Sequence, residues 1–295
     1  KYDGVNAPSM VADIRSGSGS TNLLDLVVFN NALYFGASDG NNGYELWKYD
    51  GNNAPSMVAD INSGSDSSSP NDFIVFNNEL YFEASDGTNG NELWKYDGVN
   101  APSMVADIRS GSSGSGPLDL VVFNNALYFG AFGGNNGREL WKYDGVNAPS
   151  MVADIRSGSS SSSPNDFIVF NNELYFEAND GIYGYELWKY DGVNAPSMVA
   201  DINSGSDSSS PNDFIVFNNE LYFEASDGTN GNELWKYDGV NAPSMVADIR
   251  SGSGSTNLLD LVVFNNALYF GASDGNNGYE LWKYDGNNAP SMVAD

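Results

Sequence analysis

Apolar and polar residues alternate along this chain in short runs, and the runs recur every 47 residues. Residues 61–107 show the grammar. A Ser/Gly/Asp-rich loop, 62–71, leads into Asp72-Phe73-Ile74-Val75-Phe76, a β-branched and aromatic run that reads as a buried strand. Asn77-Asn78 follows, a pair that accepts positive φ at both central positions of a tight hairpin. The pattern predicts further strands over 80–84, 92–96 and 103–108, separated by Asp-Gly turns. Within Glu-Leu-Trp-Lys-Tyr-Asp-Gly, written six times, alternation puts Glu45, Trp47 and Tyr49 on one face and Leu46 and Lys48 on the other. Nothing has helical spacing.

Four short antiparallel strands cannot bury both faces of one small sheet, so each unit must stack on its neighbours. A 47-residue period lies near that of a propeller blade, and radial packing removes long exposed edges. A parallel β-solenoid has shorter coils and lacks tight hairpins. The expected fold is therefore all-β, a six-bladed β-propeller of four-stranded antiparallel blades forming one domain over 1–295. Its blades are 14–60, 61–107, 108–154, 155–201, 202–248 and 249–295. Residues 1–13 match the tail of a repeat and form an extra closing or pairing segment. Ser-Met-Val-Ala-Asp stands at both 9–13 and 291–295, so a closed ring makes one copy redundant. The spare copy is expected to pair with a neighbouring chain or the next part of a longer array. Residues 1–60 recur verbatim as 236–295, which suggests recent duplication and a piece of something longer.

The run from Leu33 through Asp39-Gly40 to Glu45-Leu46-Trp47-Lys48-Tyr49-Asp50-Gly51 resembles the ELWxxDGT repeat of large bacterial surface and secreted proteins. The resemblance covers the whole chain, although Val99 or Asn52 stands where the family has Thr. It implies a propeller-like repeat protein, extracellular or at the cell surface, with no defined activity.

Charge narrows the function classes. Twelve basic residues face 39 acidic ones, for a net charge of −27. That excess argues against nucleic acid and against anionic membrane surfaces, and no apolar run approaches the ~18 residues of a membrane span. There is no cysteine and no histidine, which removes thiolate chemistry and the commonest general base. Carboxylate pairs alone can hydrolyse glycosides, but repeated Asp and Glu make such pairs nonspecific. We expect no enzyme, no cofactor and no metal. A structural or adhesive protein working through multivalent contacts or self-assembly comes first; a lectin-like propeller for polysaccharide is the alternative.

Differences between repeats mark candidate binding positions. They cluster in the loop before the first strand and the loop between the second and third, which an up-and-down sheet places at one end. Tyr44, Asn91, Arg138, Tyr183, Tyr185, Asn232 and Tyr279 are the ligand-binding candidates on that face. Trp47, Trp94, Trp141, Trp188, Trp235 and Trp282 read as anchors between blades. Lys48 and its equivalents are expected to meet the neighbouring blade through an ion pair or a cation–π contact. Repeats with Phe73-Ile74 carry Glu79 and Glu83, whereas those with Leu26-Val27 carry Ala32 and Gly36. These glutamates suit hydrogen-bonded positions better than a cation ring. The loop from Asp86 to Glu92 suits a glycine-rich turn better than a calcium site, and Glu92 is left between Lys95 and a loop N–H.

Overall fold

The computed structural model describes Lys1 and residues 4–294; Tyr2, Asp3 and Asp295, which fall in the extra segment and the last repeat, lie outside the described residues. It contains six four-stranded antiparallel sheets, each with its strands in chain order. The first is built from β1 (Leu24–Phe29), β2 (Ala32–Ser38), β3 (Tyr44–Tyr49) and β4 (Ser56–Ala59). The second is β5 (Asn71–Phe76), β6 (Glu79–Ser85), β7 (Asn91–Tyr96) and β8 (Ser103–Ala106). The others span 118–153, 165–200, 212–247 and 259–294. The chain divides into two compact units. One is residues 1–135 with 141–151, and the other is 136–140 with 152–295.

The turn chemistry is as the sequence requires. Asn77 and Asn78 have φ of 47° and 61°, the pair of left-handed residues that joins strands with the right twist. Asp97 Oδ1 accepts the N–H groups of Val99 and Asn100, both at 2.7–2.8 Å, which closes the turn between β7 and β8. Each first strand carries a bulge; Asp25, inside the first, takes φ of 37°.

Packing between sheets follows the alternation. In the first unit, Phe29, Tyr34 and Leu46 of the first sheet pack on Leu80, Phe82, Ala84, Trp94 and Tyr96 of the second. We call these the trailing face of one sheet and the leading face of the next. Phe76, Tyr81 and Leu93 repeat the trailing arrangement against the third sheet. In the second unit, Phe170, Tyr175 and Leu187 do so against the fifth sheet, and Phe217, Tyr222 and Leu234 against the sixth. Trp94 lies in this cluster between the first and second sheets.

Candidate binding face and the stitches beneath it

The loops at the variable end are tied from one repeat to the next. Glu45 is fully buried. Its carboxylate accepts the Ser68 N–H at 2.9 Å, the Ser68 hydroxyl at 2.6 Å and the Ile61 N–H at 2.8 Å. Glu92 does the same with Ser115 and Ile108, Glu139 with Ser162 and Ile155, and Glu186 with Ser209 and Ile202. The glutamate of these Glu-Leu-Trp motifs thus holds the entry loop of the following repeat, and Glu233 likewise accepts the Ile249 N–H at 3.0 Å. Burial raises the Glu45 carboxyl against these hydrogen bonds, which favour its charged form, and it carries Glu233 up to about 7. For Glu92 the open choice resolves to the loop N–H groups.

The lysines differ from expectation. Lys95 pairs with Glu79 of its own sheet at 3.0 Å, not with a neighbouring one, and Lys189–Glu173 and Lys236–Glu220 repeat this. Lys283 lies 5.9 Å from the Tyr269 ring, also within its sheet. The reason is local: Tyr81 and Lys95 are direct cross-strand partners, which brings the ammonium beside Glu79 and the Tyr81 hydroxyl bonded to it. Glu83 is buried and receives the Asn91 side-chain amide at 2.9 Å.

The sequence candidates at residues 44, 91, 138, 185, 232 and 279 all open the third strand of their sheets. Four of their backbone N–H groups donate to a serine hydroxyl of the next loop: Tyr44 to Ser67, Arg138 to Ser161, Tyr185 to Ser208 and Asn232 to Ser255. The position is structural in its backbone and variable in its side chain. Tyr44 is half-buried with its hydroxyl bonded to Asn22, and Asn91 is engaged with Glu83, so neither stands free as a ligand group. Tyr183 and Tyr279 are exposed. Within each unit these positions recur at the same end of successive sheets. A cavity of about 280 Å³ lies between Ser9 to Ala12 with Ile14 on one side and Leu23, Leu26, Leu33 and Phe35 on the other.

The calcium-like loop is a closed turn. Asp86 Oδ1 accepts from Thr88 and Asn89 N–H, and Oδ2 from the Asn89 amide. Where the third repeat has Gly133 in place of this Asp, the Trp141 ring occupies the space a Cβ would need. Among the described residues, no three carboxylates converge as a metal site.

One acidic feature escaped the sequence reading. The Asp25 carboxylate accepts the Asp72 N–H at 2.8 Å, across 47 residues. Burial, then the carboxylates of Asp119, Glu83 and Asp25, push the Asp72 carboxyl up to about 7. The signal available was the unvarying Asp at this place in every first strand, against the β preference of its neighbours.

No family model matches the chain, and no curated protein matches it. Solved structures do. The computationally designed Ika8 protein is 18% identical with a TM-score of 0.52, covering 92% of this chain and 73% of that one. A puromycin-hydrolyzing peptidase of Mycobacterium tuberculosis is 12% identical with a TM-score of 0.56, over 94% of this chain and 46% of its own. The acylaminoacyl peptidase of Pyrococcus horikoshii is 11% identical with a TM-score of 0.51, over 96% and 47%. The chain spans about half the length of these peptidases. At such identities the likeness concerns fold alone.

Proposed function

We propose that the six sheets are blades of a β-propeller-type protein, extracellular or at the cell surface, which has no catalytic activity and acts through many equivalent weak contacts. The observation that supports this most is the use of the acidic groups. The motif glutamates hold the next entry loop, Glu79 neutralises Lys95, and Asp86 closes its own turn. A glycosidase needs two carboxyls facing one open cleft, and these face inward or along their own backbone. What varies is a rim presented once per repeat, the arrangement from which avidity arises without any strong single site. The resemblance to ELWxxDGT repeats supports the location.

A lectin-like reading is favoured by Tyr183 and Tyr279, whose exposed rings on the rim suit stacking against a sugar face. The full chain on a glycan array, beside turnover assays on the same oligosaccharides, separates the readings. The structural reading expects no turnover and no glycan signal that depends on Tyr279. Binding lost in Tyr279→Ala would replace it by the lectin, and hydrolysis would replace both by an enzyme.

A further inference from the structure

Residues 1–60 and 236–295 have the same sequence, yet the trailing face is covered in the first sheet and open in the last. Phe29, on the trailing face of the first sheet, is 3% exposed; its counterpart Phe264 in the last sheet is 59% exposed. Leu46 is fully buried and Leu281 is 48% exposed. On the leading face the strand entry is inverted, Leu258 being 3% exposed and Leu23 54%, while Phe35 and Ala37 are buried as Phe270 and Ala272 are. The stitch is divided the same way. Thr256 is buried and donates its N–H to Asn232 O, whereas its twin Thr21 is only half-buried. Glu280, the sixth motif glutamate, is half-buried where Glu45 is fully buried.

We propose that a second copy of this chain docks end to end, the trailing face of its last sheet on the leading face of the first sheet. This deepens the self-assembly part of the functional reading and rests on it. The occupant follows from the interfaces already inside the chain. Each of the four junctions within the two units seats a Phe, a Tyr and a Leu on the Leu-x-Phe-x-Ala strand of the next sheet, and both halves are written identically in the two end sheets. Docking gives Phe264 and Leu281 the cover that Phe29 and Leu46 have, and sets Glu280 beside Thr21 as Glu233 is set near Thr256.

Two features set the strength. Leu258 N–H donates to Glu224 at 2.6 Å, but in the docked pair Gly271 replaces that glutamate opposite Leu23. The contact between copies lacks this hydrogen bond and is weaker than internal ones. Residues 9–12 already lie along the leading face, lining the cavity with Leu23 and Leu33, and their sequence repeats that of Ser291–Ala294. The docking copy's own fourth strand must displace them. Both features make the association reversible, and the charge of −27 per copy makes it stronger in salt.

Sedimentation velocity on the full chain, over a concentration series at low and high salt, tests the proposal. The expected result is concentration-dependent association that grows with salt. It should weaken at least about tenfold in Phe264→Asp, a change of about 1.4 kcal/mol or more, and strengthen in Gly271→Glu. Phe264→Asp should leave the thermal midpoint of the dilute protein unchanged. A monomer at all concentrations overturns the proposal, and so does association indifferent to Phe264→Asp. A dilute monomer destabilised by Phe264→Asp overturns it in favour of closure within one chain. None of these outcomes touches the absence of catalysis, which the turnover assays judge separately.

Discussion

Glu45 accepts both the backbone N–H and the hydroxyl of Ser68, at 2.9 and 2.6 Å, from a position 23 residues earlier in the chain. Neither group is exposed. A buried carboxylate with several hydrogen bonds is stable as an anion only while those partners stay. Ser68→Ala, which removes the hydroxyl and keeps the N–H, should therefore cost about 1–2 kcal/mol in urea unfolding. Glu45→Ala leaves the Ile61 N–H and the Ser68 hydroxyl without the carboxylate, the Ser68 N–H keeping only Tyr44 O at 3.0 Å, and should cost about 2–4 kcal/mol by the same measurement. A neutral result for both would mean that water serves the loop equally well.

Trp94 packs between the first and second sheets, and truncation there cannot be refilled by neighbours on two rigid sheets. Trp94→Ala should destabilise by about 3–5 kcal/mol. A loss below about 1 kcal/mol would show the ring to be dispensable for packing. Lys95 and Glu79 are both partly exposed, so their pair should contribute under about 1 kcal/mol in a double-mutant cycle.

Chelation should leave the thermal midpoint where it is, because both oxygens of Asp86 are engaged by its own turn. A large fall in EDTA would contradict this.

Stability should peak in mildly acidic solution. Burial raises the folded pKa of Glu233 and Asp72 to about 7, above the unfolded values near 4.5 and 3.8. The folded state then binds more protons in that window, so this contribution is full at its acid end and lost as pH rises towards about 7. The turn aspartates act oppositely. Backbone N–H groups of Asn53 and Asn52 lower Asp50 to about 2, and Asp285 follows in the same way through Asn288. Their contribution is present above about pH 4 and lost below it. Thermal melts should show the midpoint rising from pH 8 to about 5 and falling below about 4; a flat profile from 8 to 5 would contradict the burial of these acids.

The strands were legible because each 47-residue unit spells them locally: alternation in Leu80 to Ala84, two asparagines at the hairpin, Asp-Gly at the reversals. The fourth strand reads two residues too long for the same reason. Ile108 continues the apolar pattern, but its N–H turns to the Glu92 carboxylate, and the strand ends at Ala106. The rim was legible as an end of the sheets, since chain order alone places those loops together. Its bonding was not. Ser115 and Glu92 belong to different repeats, and nothing in spacing tells a buried glutamate from one paired with the lysine three residues on. The Lys95–Glu79 pair was misplaced because strand register, not sequence distance, decides which charges meet.

One sequence plays an inner and an outer part according to its place among the repeats. Amide hydrogen exchange resolved by NMR on the dilute chain tests this most directly at Thr21 and Thr256, which share every near neighbour in sequence. Thr256 N–H, bonded to Asn232 O at 2.8 Å, should exchange slowly. Thr21 N–H should exchange at least about a hundredfold faster. Equal protection at the two would contradict the account.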